Sequence, residues 1–196
     1  MINLVLLATF AYLLGSIPFG FLIGKIKKVD IREIGSKSTT STNVSRALGW
    51  RWGVISAFLD ISKAVIPTLL AKNYLTNTWQ VIFFALLPTI GHIFPIWLNF
   101  RGGKGAACFY GATSVLTGVK FFLSAFLLWI IILFLFRIMS LTNILFTWIL
   151  SVLLYLFFPS PYFIYGILGA IIITFAMREN INRLKKKVEP KISFRW

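Results

Sequence analysis

Residues 138 to 177 form a run of forty positions without a charged side chain, and this run limits what the chain can fold into. An α-helix of about 20 apolar residues crosses the roughly 30 Å hydrocarbon core of a bilayer, so the run is long enough for two crossings. Pro159, Ser160 and Pro161 supply the break between them, because proline disfavours helix in the residue before it. With 58% hydrophobic residues in 196, the chain also carries more apolar surface than a globular core can bury. The sequence therefore predicts an all-α integral membrane protein.

Five further apolar segments precede this run. They are residues 2–24, 52–71, 79–98, 106–118 and 121–136. The fourth segment is too short to cross a bilayer upright, so we interpret it and the fifth as two helices joined by a tight turn at Gly118. The total is then seven transmembrane helices in a single membrane-embedded domain that spans residues 1–196.

The 20 Lys and Arg residues outnumber the five acidic residues, and they lie almost entirely between apolar segments. In a soluble chain this balance would indicate nucleic acid, but in a membrane protein basic residues accumulate in cytoplasmic loops. Seven basic residues fall within residues 25–51 and seven within residues 178–196, whereas the predicted outer loops hold Lys72 and Lys120. The N-terminus is therefore predicted to lie outside and the C-terminus in the cytoplasm.

Two loops on the predicted cytoplasmic side have the composition of an anion site. Residues 36–45 include seven Ser or Thr residues, whose hydroxyl and amide groups can bind an anion, although a solvated loop fits equally well. Residues 101–105, RGGKG, combine glycines with a lysine ahead of a helix. Successive glycines let backbone N–H groups converge on a phosphate, and the positive end of the following helix would face it. The alternative for this second loop is a sharp turn that binds nothing.

Three ionisable groups fall within apolar segments. Asp60 and Lys63 lie three positions apart on a predicted helix, and we interpret them as a structural pair because intramembrane charges are costly. His92 is the only histidine, and its sequence neighbours include no carboxylate or cysteine, so a packing role is the usual interpretation. The single cysteine, Cys108, cannot form an internal disulfide, or a zinc site by itself. No metal site is predicted.

Six motifs stand out in order along the chain. They are GSIPFGFLIGK, DIREIGS with TNVSRALG, DISK, GHIFPIWLNFRGGKGAA, MSL, and RENINRL with a later glutamate. In order and spacing they resemble the motifs of the PlsY family of bacterial membrane acyltransferases. The resemblance implies seven helices in the bacterial inner membrane and an active site that faces the cytoplasm. It also implies transfer of an acyl chain from acyl phosphate to the 1-hydroxyl of glycerol 3-phosphate, which gives lysophosphatidate, without a metal, cofactor or coenzyme A.

By matching motif, the resemblance assigns expected roles to residues of this chain. The expected catalytic residues are Ser36, Arg46, His92, Lys104 and Asn180. The expected substrate- or phosphate-binding residues are Gly35, Lys37, Thr42, Asn43, Gly102, Gly103, Gly105 and Ser140. Expected structural roles fall to Asp60, Lys63 and Glu189.

The chain departs from the family pattern at several of these motifs. Lys37 and Ser38 stand where the family usually has Gly-Asn, Thr40 replaces a glycine, Met177 a histidine and Cys108 a threonine. Lys37 and Thr40 are not expected to adopt the positive φ of glycine cheaply. Met177 removes an imidazole that would bind phosphate, and the charge of Lys37 is expected to offset part of that loss.

The chemistry expected from the resemblance is electrostatic. Acyl phosphate is already activated, so the enzyme mainly holds two phosphates together, with Arg46, Lys104 and Lys37 supplying the compensating charge. The sequence shows no carboxylate–histidine dyad, so either His92 or the departing phosphate takes the proton of the attacking hydroxyl. We favour the phosphate, because its oxygens lie next to the reacting atoms.

Two other classes fit parts of the sequence. A transporter or channel for small organic anions would use basic loops and helix breaks, but such proteins usually place charges at mid-membrane and often show inverted repeats. A non-catalytic scaffold would explain the lysine run at 185–187, which is predicted to bind anionic lipid, but not GGKG beside GHIFP. The expected partners are acyl phosphate, glycerol 3-phosphate and anionic membrane lipids, and no nucleic acid or protein partner is implied.

Overall fold

A computed structural model describes residues 3–192, and within that range the regular structure is entirely helical. The helices are α1 (Leu4–Ser16), α2 (Phe19–Ile26), α3 (Ser41–Leu48), α4 (Trp50–Tyr74), α5 (Thr78–Ile93), a short 3-10 helix (Ile96–Leu98), α6 (Ala106–Thr117), α7 (Val119–Phe136), α8 (Met139–Phe157), α9 (Ser160–Ala176) and α10 (Arg178–Lys185). The chain divides after Leu116 into two compact units, Met1–Leu116 and Thr117–Trp196. The single domain expected from the sequence stays a prediction.

Among the described residues, four helical stretches are long and apolar enough to cross a membrane: α4, α5 continued to Leu98, α7 and α8. Two bent pairs raise the number to six if each pair is one span: α1 with α2, bent by 41°, and α9 with α10, bent by 64°. Helix α6 has 12 residues, and at about 1.5 Å per residue it falls short of a core of about 30 Å. The all-helical membrane architecture is confirmed, whereas the count of seven spans and the orientation of the termini stay predictions.

The prediction of one continuous helix over residues 2–24 is wrong, because the helix is interrupted between α1 and α2. Ile17 has φ −60° and ψ 116°, an extended conformation, and Pro18 follows it. Proline lacks an amide hydrogen and pushes the preceding residue out of helical geometry, so the apolar run could not remain one helix. The break leaves the carbonyl of Ile17 available to a partner other than the next helical turn.

The third predicted helix, residues 79–98, also ends early, because α5 stops at Ile93 ahead of Pro95. Helix α1 packs so closely on α5 that a Cβ built on Gly91 would overlap the carbonyl of Tyr12. The hydroxyl of Tyr12 donates to the carbonyl of Phe94 at 2.7 Å. The close packing of α1 on α5 therefore fixes the point where the chain turns towards residues 101–105.

Residues 36–45 were expected to form a loop, but α3 begins within them. Thr40 is the residue before the first helical turn, and its Oγ1 accepts a hydrogen bond from the backbone of Asn43 at 3.3 Å. Such a cap satisfies an amide that the helix itself cannot. Helix α3 packs against α4, where a Cβ built on Gly53 would lie 2.6 Å from the Cβ of Ser45. The serine-rich loop is thus anchored on a helix at its C-terminal end.

In the second unit, α7 is the most exposed of the four long stretches, with 11% of the helix buried. Leu127 and Leu135 are 60% and 73% exposed, as expected for side chains that face lipid. Helices α8 and α9 pack closely where a Cβ built on Gly166 would lie 2.8 Å from the Cα of Ser151. The basic tail begins with α10, which turns away from α9 at Met177.

Candidate active site

A buried charged cluster lies between α4 and α5 in the first unit. Asp60 and Lys63 belong to α4, and His92 to the last turn of α5. Lys63 Nζ lies 2.8 Å from Asp60 Oδ1 and 2.9 Å from His92 Nδ1. Lys63 also donates to the carbonyl of Ile17, at the break between α1 and α2, at 2.7 Å. We refer to Asp60, Lys63 and His92 as the buried triad.

The expectation that His92 has no carboxylate or cysteine close to it is wrong. Its Nδ1 lies 3.3 Å from Asp60 Oδ1, so a carboxylate–histidine contact exists after all. The thiol of Cys108 donates to the backbone carbonyl of Asp60 at 3.2 Å. The ligand atoms of Asp60, His92 and Cys108 lie within 4.8 Å of one another, but the ammonium of Lys63 already pairs with the carboxylate. A metal cation would have to compete with that ammonium group.

Residues 101–105, the glycine loop, fold back onto the end of α5. The backbone N–H of Gly103 donates to the carbonyl of His92 at 3.0 Å, and that of Gly102 to the carbonyl of Ile93 at 3.1 Å. These two amides stabilise the loop itself, and phosphate binding by Gly102 and Gly103 stays a prediction. A Cβ built on Gly103 would overlap Nε2 of His92. Glycine is required here so that the imidazole can lie against the backbone of the loop.

The glycine loop ends at the start of α6. Gly105 has φ +83°, and its carbonyl accepts the first helical hydrogen bond, from Phe109, at 2.9 Å. The first N–H groups of α6, beginning with Ala106, have no acceptor within the helix, and they carry the positive end of its dipole. Lys104 lies two residues before Ala106. A helix start beside a lysine is a suitable place for a phosphate.

The serine-rich loop adopts left-handed backbone at Gly35, with φ +59°, and at Lys37, with φ +55°. Lys37 therefore takes the conformation that glycine would adopt more easily, at a cost that the sequence led us to expect. Thr40 does not, because its φ is −74° and it caps α3. The Oγ of Ser36 lies 2.8 Å from that of Ser38, which in turn lies 3.2 Å from Thr40 Oγ1. Three of the residues that depart from the family pattern thus shape the setting of Ser36.

Asn43 was expected to bind substrate, but its side chain is buried and engaged within the loop. Its Oδ1 accepts from the backbone of Ser36 at 2.9 Å, and its Nδ2 donates to the carbonyls of Ile31 and Ser38 at 2.7 and 2.9 Å. Both donors of the amide are used, so Asn43 holds the loop in shape. Arg46, one helical turn further on, passes beside Gly35, where a Cβ would lie 3.5 Å from its Cδ. Thr42 immediately precedes Asn43 on α3.

The break between α1 and α2 connects the serine-rich loop with the buried triad. A Cβ built on Gly20 would overlap the carbonyl of Thr39, so the loop rests directly on the first turn of α2. One residue earlier, the ring of Phe19 lies 5.6 Å from Lys63 Nζ. The first unit therefore brings together three regions assigned from the sequence: the serine-rich loop, the triad and the glycine loop.

A separate polar cluster in the second unit is centred on Glu189. Its Oε1 accepts from Ser140 Oγ at 2.8 Å and from Asn180 Nδ2 at 2.7 Å, and its Oε2 accepts from Arg183 Nε at 2.6 Å. Burial raises the pKa of Glu189, but hydrogen bonds from Asn180, Ser140 and Arg183 outweigh it and leave that pKa below its ordinary value. The hydroxyl of Ser140, expected to bind substrate, is thus directed at Glu189. Met177, at the turn before α10, is buried.

Sequence reasoning missed two features of these sites. The carbonyl of Ile17 became a partner of Lys63 because Pro18 ends the helix, and Pro18 was the available signal. Arg183 pairs with Glu189 across six positions, and no helical spacing in the sequence indicated that pair.

Comparison with known proteins gives matches along nearly the whole chain. Residues 5–187 match the family described as glycerol-3-phosphate acyltransferase. A glycerol-3-phosphate acyltransferase of Aquifex aeolicus is 43% identical over 184 residues, which cover 91% of this chain and 93% of the relative. A protein of the same name from Prochlorococcus marinus is 40% identical over 194 residues, covering 95% of this chain and 97% of the relative.

Two solved structures are similar to this fold. One is the crystal structure of PlsY (YgiH), an integral membrane glycerol 3-phosphate acyltransferase, in its glycerol 3-phosphate form. It matches with a TM-score of 0.91 and 38% identity, covering 97% of this chain and 96% of that one. The lysophosphatidic acid form matches with a TM-score of 0.89 and 37% identity, covering 97% and 95%.

Proposed function

Because the chain belongs to the glycerol-3-phosphate acyltransferase family and is an integral membrane acyltransferase, we propose that it acylates glycerol 3-phosphate with acyl phosphate. The products would be 1-acyl-glycerol 3-phosphate and inorganic phosphate. The observation that carries the choice of acceptor and product is the similarity, over 97% of the chain, to structures of glycerol 3-phosphate and lysophosphatidic acid forms. The family assignment favours this activity over the anion transporter that the sequence also allowed.

The setting of Ser36 supports direct transfer from a donor that is already activated. Within residues 3–192, the hydroxyl of Ser36 contacts another hydroxyl, that of Ser38, and not a histidine or a carboxylate that would make it a nucleophile. Cys108 is buried and donates to a carbonyl. In the proposed step the 1-oxygen of glycerol 3-phosphate bonds to the acyl carbon, and the bond from that carbon to the phosphate oxygen breaks. The pair of electrons leaves with the phosphate.

Charge compensation is the second part of the proposal. The two substrates bring two phosphates into one site, and their repulsion must be offset for the acceptor hydroxyl to reach the carbonyl. Lys104, before α6, and Arg46, on α3 beside Gly35, provide the charge, and Lys37 adds to it. Ser36 contributes polar contacts in this proposal, and no metal or other cofactor takes part. The attacking hydroxyl passes its proton to a phosphate oxygen.

The orientation in the membrane follows from charge. We propose seven crossings, with the N-terminus outside and the site on the cytoplasmic side of the bacterial inner membrane, because the basic loops lie there. The seventh crossing would be α6, whose 12 residues extend only about 18 Å. At least one end of α6 would then lie within the depth of the bilayer. A membrane-impermeant thiol reagent should label a cysteine at Asn77 and not one at Ser38, in a background where Cys108 is replaced.

The test of the activity uses purified protein in detergent with labelled glycerol 3-phosphate. Acyl phosphate should yield lysophosphatidate in the presence of a chelator, and acyl-CoA should not replace it. Efficient transfer from acyl-CoA would overturn the proposed donor. A requirement for a divalent metal would overturn the proposed metal-free chemistry.

A further inference from the structure

The buried triad determines which nitrogen of His92 carries the proton. An ammonium group has three N–H donors and no acceptor, and Lys63 is held beside the carboxylate of Asp60 at 2.8 Å. Its Nζ lies 2.9 Å from Nδ1 of His92. Two donors at that distance would repel each other, and the contact of Nδ1 with Asp60 Oδ1 is longer, at 3.3 Å, so the contact with Lys63 decides and Nδ1 accepts. The imidazole is then neutral, with its hydrogen on Nε2.

The other nitrogen, Nε2, faces the glycine loop. A Cβ on Gly103 would overlap it, and the backbone of Gly103 is fixed to the same residue through the carbonyl of His92. In the described part of the chain, the polar contacts of the His92 ring are all made by Nδ1. Nε2 is therefore an N–H group directed to the loop, one residue before Lys104.

We infer that His92 binds a substrate phosphate as a hydrogen-bond donor through Nε2, and that Lys63 is a positioning residue that enforces this tautomer. Asp60 supports the arrangement because its carboxylate balances the charge of Lys63. The role of His92 as proton acceptor is thereby excluded, since its basic nitrogen is occupied by Lys63. The identity of the phosphate rests on the proposed function, whereas the tautomer rests only on the triad.

The position of Lys63 explains why a lysine serves here. Its ammonium bridges three acceptors from three segments: the carbonyl of Ile17, the carboxylate of Asp60 and Nδ1 of His92. The side chain is almost fully buried, so the ring cannot exchange Lys63 for water as its partner. The orientation of His92 is therefore set before substrate binds, which reduces the entropy lost on binding.

The chain offers a direct experiment because His92 is its only histidine. Protein labelled with ¹⁵N-histidine in detergent micelles should show one imidazole, with a hydrogen-bearing Nε2 and a bare Nδ1. Addition of glycerol 3-phosphate or of inorganic phosphate should shift the Nε2–H signal. A spectrum with hydrogen on Nδ1, or on both nitrogens, would overturn the inference without any variant. A correct tautomer whose Nε2–H signal ignores both ligands would overturn the phosphate role.

Variants of Lys63 and His92 distinguish a role in positioning the imidazole from a role in packing. Lys63→Met should place hydrogen on Nδ1, because the carboxylate of Asp60 at 3.3 Å then faces that nitrogen without the ammonium. Lys72→Met, on the same helix but bonded to the carbonyl of Val115, should leave the spectrum unchanged. His92→Gln can still place an N–H near the loop, whereas His92→Asn is too short to do so. The KM for glycerol 3-phosphate should rise roughly tenfold or more in His92→Asn, and less in His92→Gln, as for a lost bond to a charged group. An equal effect of the two variants would contradict the donor role.

The failure of this inference differs from a failure of the proposed function. If the protein shows the Nε2–H tautomer and a phosphate-dependent shift but forms no lysophosphatidate, the acyltransfer proposal fails and the site remains. If it forms lysophosphatidate with the other tautomer, the inference alone fails.

Discussion

Asp60 in the first unit and Glu189 in the second are both buried carboxylates, but their partners differ. Asp60 is balanced by Lys63, whose side chain is 1% exposed, so each charge is trapped with the other in an apolar setting. Glu189 is held by two neutral donors and by Arg183, whose side chain is 30% exposed and retains access to water. Loss of either charge in the first cluster therefore leaves the other buried and uncompensated. Glu189 keeps two neutral donors whichever single partner is lost, and the charge of Arg183 is already partly solvated, so the cost in the second cluster is smaller.

The comparison predicts the largest effect for Asp60→Ala. The variant leaves the ammonium of Lys63 buried without its counter-charge, and breaking such a pair typically costs about 3 to 5 kcal/mol. Thermal unfolding of purified protein in detergent should show a large loss of stability, or no folded protein at all. The double variant Asp60→Ala with Lys63→Met should recover much of that stability, because no buried charge remains. A double variant as unstable as the single one would show that the charges are not the cause.

The second largest effect is expected for Lys104→Ala, which keeps the triad intact and removes a cation next to the start of α6. A hydrogen bond to a charged group contributes about 1.5 to 3 kcal/mol, or roughly ten- to a hundredfold in catalytic efficiency. The measurement is lysophosphatidate formation against the concentration of glycerol 3-phosphate, on correctly inserted protein. Arg46→Ala should behave similarly. Wild-type efficiency in Lys104→Ala would reduce the glycine loop to a structural turn.

A smaller effect is expected for Glu189→Gln, because the neutral amide retains part of the hydrogen bonding to Ser140 and Asn180. We expect a loss of about 1 to 2 kcal/mol in unfolding free energy. The pKa of Glu189 is lowered from its ordinary 4.5, so its contribution is complete above that value and disappears as the pH falls through the folded-state pKa. Unfolding curves at decreasing pH should therefore converge for wild type and Glu189→Gln. Curves that stay parallel below pH 4.5 would show that the carboxylate is not the group that titrates.

The smallest effect is expected when Lys185, Lys186 and Lys187 are all changed to alanine. These side chains are exposed, and exposed substitutions usually change stability by less than about 0.5 kcal/mol. Turnover in detergent should remain at the wild-type level, while binding to anionic vesicles weakens. A loss of turnover equal to that of Lys104→Ala would place the phosphate site in the tail.

The sequence predicted the helical membrane architecture because apolar runs longer than a bilayer crossing leave few other folds. It also predicted the Asp60–Lys63 pair, since residues three apart share a helix face. His92 was not added to that pair, because it is 29 positions from Lys63 and its approach depends on how α4 packs against α5. Such packing is not encoded in local spacing.

The motifs located the candidate site, but not the function of each atom within it. Asn43 and the amides of Gly102 and Gly103 lie in the expected loops, yet their hydrogen bonds stabilise those loops. A motif records that a residue is needed, whereas the partner of its donor or acceptor appears only in three dimensions. The backbone of Lys37 is also determined in three dimensions. Lysine disfavours the left-handed conformation, and the surrounding loop imposes it.

Because the helix is interrupted at Pro18, positions 17 and 18 should differ in how many amino-acid substitutions they tolerate. Lys63 is anchored by the main-chain oxygen of Ile17, which every amino acid possesses, so position 17 can change its side chain without changing that ligand. Position 18 has no such freedom, because a residue that let α1 continue would redirect the oxygen into the helix. A library of substitutions should therefore accept many side chains at 17 and few at 18, although the ligand of the ammonium is the main-chain oxygen of residue 17.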